Sequence, residues 1–110
     1  MRGMRGETVK GHLDLLLLSV LELSPAHGYL VIERLREQSE GAFSFPEGTI
    51  YPALHRLEEG ALLSSRWADD SPRRRRVYEL TPRGREELQR RVADWDRFAG
   101  AVSLVVAGAR

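Results

Sequence analysis

Between Leu13 and Leu23 apolar residues occupy almost every position. Those at 13, 16, 17, 20 and 21 form a helical row that Leu15 and Leu18 widen, which predicts a helix over 10–23 buried on most sides. Ser24-Pro25 then reads as an N-cap followed by a residue already fixed at helical φ. It opens a second helix over 25–39, with Tyr29, Ile32 and Leu35 inward and Gly41 at its C-terminal cap. A third helix, from Pro46-Glu47 to Gly60, has a narrow apolar stripe of Ile50, Ala53, Leu54 and Leu57. On a wheel of 100° per residue, Gly48, Pro52, His55 and Glu59 oppose that stripe, with Thr49 and Arg56 flanking them. Pro52 inside this helix removes one N–H bond and crowds the carbonyl of residue 48, a defect of about 3 kcal/mol that glycine at 48 helps the backbone absorb.

After Gly60 the period changes to two. Leu63, Ser65 and Trp67, then Arg76, Tyr78 and Leu80, alternate along two short strands joined by the turn residues Ala68-Asp69-Asp70-Ser71-Pro72. Thr81-Pro82 repeats the hydroxyl-then-proline helix start, with Glu86 and Glu87 near the positive end of the helix dipole. Along the fourth helix Leu88, Val92, Trp95, Ala99, Val102, Val106 and Ala109 are spaced 4, 3, 4, 3, 4, 3, a coiled-coil seam over three heptads. Residues 1–9 show no periodicity and read as a flexible arm.

The expected fold is mainly α with a small β-hairpin. A winged helix-turn-helix unit occupies 10–81, a long C-terminal dimerisation helix 82–110, and the arm 1–9. Three helices followed by a basic hairpin place the third helix in a DNA major groove and the hairpin along the backbone. A domain of 110 residues cannot cover the seam of its own last helix, so the seam is expected to meet a second copy. Two-fold symmetry would then set two reading helices about 34 Å apart on a near-palindromic operator.

Net charge is only +1, yet between Pro72 and Arg85 six arginines face a single acid, Glu79. Thr49, Tyr51, His55 and Arg56 on the third helix, and Arg73, Arg74 and Arg76 on the hairpin, are the candidate DNA contacts. The alternative for each is an ordinary solvated side chain. Strand alternation lets at most two of the four hairpin arginines track the same phosphates. Arg2 and Arg5 read as a basic tail, with a minor-groove contact as the alternative.

With no cysteine, disulfides, thiolate metal sites and cysteine nucleophiles are excluded. His12, His27 and His55 fall on three different helices without metal-ligand spacing or a convergent carboxylate pair, so neither an enzyme nor a metal or cofactor site is expected. No apolar run approaches a membrane span and no secretory signal is recognisable, so the expected location is the cytoplasm. A winged-helix adaptor that docks proteins without binding DNA is the competing function. Steep salt dependence of binding separates the two.

The stretches HGYLVIERL at 27–35, GTIYPALHRLEEGALL at 48–63 and RRRRVYELTPRG at 73–84 together resemble the PadR family of transcriptional regulators. The resemblance spans about residues 10–95, and the short single C-terminal helix is similar to the family's compact branch. It implies a homodimeric repressor released from DNA by a small molecule. It also implies that Trp95 stacks on a planar aromatic effector at the dimer centre, with Phe98, Ala99 and Asp96 beside it and Leu16 and Leu17 as walls. The alternative is that Trp95 fills the dimer seam and the small residues of AVSLVVAGAR close any pore.

Overall fold

The computed structural model describes residues 11–68 and 74–110; the arm expected at 1–9, the turn residues 69–72 and Arg73 lie outside the described residues. Helix α1 spans Leu13–Leu23, α2 Gly28–Gln38, α3 Glu47–Glu59 and α4 Pro82–Ala109. The strands are β1 at Ala26–His27, β2 at Leu63–Ala68 and β3 at Arg75–Leu80. The strands form one antiparallel sheet in the order β1-β3-β2. Ala26 and His27 pair with Tyr78 and Val77 on one side of β3, while Leu63 to Ala68 pair with Leu80 back to Arg75 on the other.

Leu17, Leu18, Val20 and Leu21 of α1 meet Val31 and Leu35 of α2, Ile50, Leu54 and Leu57 of α3, and Leu63, Tyr78 and Leu80 of the sheet in one core. The inward stripes of α1 and α3 are those that the 3.6-residue period picks out. Helix α3 runs unbroken through the exposed Pro52.

The start of α2 departs from expectation. Ser24-Pro25 does not begin it: Ser24 is extended at φ −172°, ψ 158°, the backbone that a following proline favours, and Ala26–His27 form a third strand. The helix begins three residues later, at Gly28, where the His27 ring caps it by accepting from the Leu30 N–H at 3.3 Å. The Ser24 hydroxyl and carbonyl instead accept from Arg34 of α2 at 2.7 and 2.9 Å.

Helices α2 and α3 end alike. Beyond α2 the Gly41 N–H reaches the Arg36 carbonyl and Glu40 N–H that of Glu37; beyond α3 Leu62 N–H reaches Leu57 and Ala61 N–H reaches Glu58. Both are Schellman closures, with Glu40 (φ 53°) and Ala61 (φ 63°) in the left-handed position that glycine fills without strain. Thr81 then joins the second closure to α4. Its hydroxyl donates to the Ala61 carbonyl at 2.7 Å and accepts from the Gly84 N–H at 2.9 Å.

Gly84 lies so close to this loop that a Cβ there would stand 2.0 Å from the Leu62 carbonyl oxygen, which already receives the Thr81 N–H. Leu88, expected in the dimer seam, is 2% exposed and belongs to the core of its own chain. The seam open to a partner therefore starts a turn later, at Val92. Helix α4 continues to Ala109, about 42 Å in all. Among the described residues no helix is long and apolar enough to cross a membrane.

Gly84→Ala is expected to cost about 1–3 kcal/mol, since the intruding methyl meets backbone rather than a flexible side chain. A thermal melt should show it as a drop of roughly 4–8 °C per kcal/mol. An unchanged midpoint would show that the α3–β2 loop yields freely.

Candidate nucleic-acid interface

The exposed face of α3 carries Gly48, Thr49, Pro52, His55, Arg56 and Glu59, the face opposite the core stripe. Beside it lies a cavity of about 670 Å³, walled by the start of α2 (His27, Gly28, Tyr29), by α3 (Glu47, Tyr51, His55) and by the sheet (Trp67, Arg74, Arg75, Arg76, Tyr78). The cavity thus joins the two elements expected to touch DNA. Its floor is fixed by close packing, because a Cβ on Gly28 would fall 2.5 Å from the Tyr51 ring. Tyr51, partly buried, points its hydroxyl at the Tyr29 backbone, and burial, with Glu47 nearby, raises its pKa. It braces α2 against α3 as well as bordering the cavity.

The arginines divide by what they touch. Arg76 donates from Nε to the Ser65 hydroxyl at 2.8 Å, and Ser65 donates to Glu58 of α3 at 2.5 Å, with Arg76 Nη2 3.8 Å from the same carboxylate. It therefore locks the hairpin to the end of α3. Arg75, which the alternation argument passed over, approaches His27 Nε2 at 2.9 Å through Nη1. A neutral imidazole has one acceptor nitrogen, so His27 serves either Arg75 or the Leu30 amide at a given moment. Arg74 is exposed, with its guanidinium carbon 4.9 Å from the centroid of the Trp67 ring.

Arg56 is engaged within the chain. Its guanidinium grips Asp14 of α1 through two hydrogen bonds of 2.6 and 3.0 Å, a bidentate pair that ties α3 to α1. Asp14 also lies 3.7 Å from Arg91 of α4, which in turn donates to Glu87 at 2.7 Å. One carboxylate thus faces cations from both α3 and α4. The hydrogen bond from Arg56, aided by the charges of Arg56 and Arg91, holds the Asp14 carboxyl below its ordinary range despite partial burial. Hydrogen bonds from Arg90 and Arg91 lower Glu87 likewise.

Around Trp95 a smaller cavity of about 240 Å³ is lined by Gly11, His12 and Leu15 on one side and Arg91, Asp94, Trp95 and Phe98 on the other. The His12 ring meets Trp95 edge-on at 5.2 Å, and Phe98 lies 6.1 Å from it. The expected walls Leu16 and Leu17 are not there. Leu17 is fully buried in the core and Leu16 borders a separate apolar hollow with Phe43, because successive helix positions turn by 100° and of these three leucines Leu15 alone lines the hollow at Trp95. Ala99, partly exposed, lies one turn past Trp95 and outside this lining.

Comparison with known proteins bears on this geometry. Residues 17–90 match the model of the "Transcriptional regulator PadR-like family". Over 53 residues, 48% of the chain and half of the relative, the sequence is 45% identical to "Transcriptional regulator Rv3488" of Mycobacterium tuberculosis. A PadR family transcription regulator of Clostridium difficile superposes with TM-score 0.78 at 33% identity, covering 87% of this chain and 99% of that one. A transcriptional regulator from Clostridium thermocellum shares the fold with TM-score 0.82 at 23% identity, over 91% and 95% of the two chains.

Because Asp14 titrates below its unfolded value, the stability it contributes is present above about pH 4 and is lost as pH falls through its depressed folded pKa. Melting temperature should therefore drop as pH falls below about 4. Asp14→Asn should cost about 1 kcal/mol at pH 7 and flatten that acid limb. Equal acid sensitivity in the two proteins would remove Asp14 as a source.

Proposed function

The chain belongs to the PadR-like family of transcriptional regulators and is a DNA-binding regulator of transcription; from that premise we propose that it works as a homodimer, repressing from a near-palindromic operator. The observation that supports the dimer is the apolar row on α4. Val92, Trp95, Val102 and Val106 are each 40–42% exposed and follow the heptad spacing along α4, even with the His12 ring against Trp95. Pairing two copies through this row would present two α3 faces to one side of a duplex. In this reading Thr49 and His55 meet base edges, while Tyr51, Arg56, Arg73, Arg74 and Arg76 serve phosphates or hold the helix and wing that do so.

A ligand-responsive role rests on the hollow at Trp95. At 240 Å³ it is smaller than a typical drug-sized site, and a second α4 crossing it would complete the walls. Trp95, Phe98 and Leu15 suit a planar aromatic effector, and Arg91 and Asp94 supply polar anchors.

Val102→Glu with Val106→Glu should convert the dimer to monomer in sedimentation and weaken binding to its own upstream DNA at least tenfold. A wild-type chain that is monomeric at micromolar concentration would overturn the dimer reading. Planar aromatic dyes should quench Trp95 fluorescence in a Trp67→Phe background. No quenching across a varied panel would count against the effector site.

A further inference from the structure

Trp67 has no part in the core and none in the expected base or phosphate contacts, yet it stands 54% exposed on β2 at the edge of the cavity between wing and α3. The register places it directly across from Arg76. Arg74, two residues back along the chain, projects to the same face of the hairpin. Both guanidinium carbons sit over the indole, Arg74 at 4.9 Å and Arg76 at 5.1 Å from the ring centroid. Arg76 is held there by Ser65 and Glu58, and Arg74 is exposed.

We propose that Trp67 is a positioning residue for DNA binding: its indole holds the Arg74 guanidinium beside the anchored Arg76, so that Arg74 meets a phosphate already ordered. This rests on the DNA-binding reading above. An arginine over an aromatic ring is attracted through its flat face and keeps in-plane N–H groups with which to take a phosphate. Ordering the side chain before binding removes part of the rotamer entropy that contact would otherwise cost.

The test is anisotropy with a fluorescein-labelled mixed-sequence DNA duplex across a salt series, using wild type, Trp67→Ala, Trp67→Leu, Trp67→Phe, Arg74→Ala and the Trp67→Ala/Arg74→Ala double variant. Thermal melts check that each folds. Trp67→Ala and Trp67→Leu should weaken binding about three- to tenfold with the salt slope unchanged, because no charge is lost. Trp67→Phe should restore most of the affinity. Arg74→Ala should lower the slope by about one, and Trp67→Ala added to it should cost less than about twofold.

Leucine binding like wild type would show that the ring's charge distribution plays no part. An undiminished Trp67 effect in the Arg74→Ala background would show that the indole acts on DNA by itself. Either result overturns the proposal while leaving DNA binding intact. Wild-type protein without salt-dependent binding would take both down.

Discussion

Strand β3 is the constraint on which the arrangement depends. All six of its residues pair with β2, Val77 and Tyr78 pair with β1 as well, and Tyr78 and Leu80 enter the core. Pairing with Ala26–His27 fixes where α2 begins, and pairing with β2 fixes where the wing stands. The loop from α3 into β2 is closed by Thr81, the residue that ends β3 and caps α4. A short strand thereby sets the relative positions of the wing, of α2 and of the helix that leaves the domain.

Charge is used in two ways on this frame. Asp14 pairs with Arg56 and Arg91, and Glu58 with Arg76, and these pairs join separate elements: α1 to α3, α1 to α4 and α3 to the wing. Exposed pairs of this kind contribute modestly to stability, but a bidentate grip such as Asp14–Arg56 fixes orientation. Arg74 and Arg75 lie instead along the cavity rim. The near-neutral overall charge conceals this division, since the acids are spread along the chain while six of the arginines fall between Pro72 and Arg85 against the single acid Glu79.

Much of this was legible in the sequence. The four helices, the hairpin and the exposed face of α3 follow from local periodicity, because burial on one side of a helix or strand imposes its own repeat. What failed depended on distant partners. Ser24-Pro25 looks like a helix start until Ala26–His27 find the far edge of β3, a pairing about fifty residues away in sequence that no local pattern signals. Leu88 obeys the heptad, yet the first turns of α4 lie on α1, so one position of the seam serves the domain rather than a partner. Arg56 reads as a free donor on the wheel; only the fold brings Asp14 to it across 42 residues. His27, Arg75 and Trp67, which border the cavity beside α3, were passed over for the same reason, although the histidine in HGY and the aromatic in the strand after α3 were visible signals.

The pairing of Trp67 with Arg76 carries a consequence for how such a wing can diverge. Side chains on a strand alternate, so deleting or inserting a single residue within β2 would exchange its two faces and carry the indole away from the guanidinium groups while leaving the backbone ladder intact. Length changes inside the strands are tolerable only in even numbers, or where a bulge restores parity. Descendants that keep this stacking are thus free to vary the identity of most strand residues, but hardly their count.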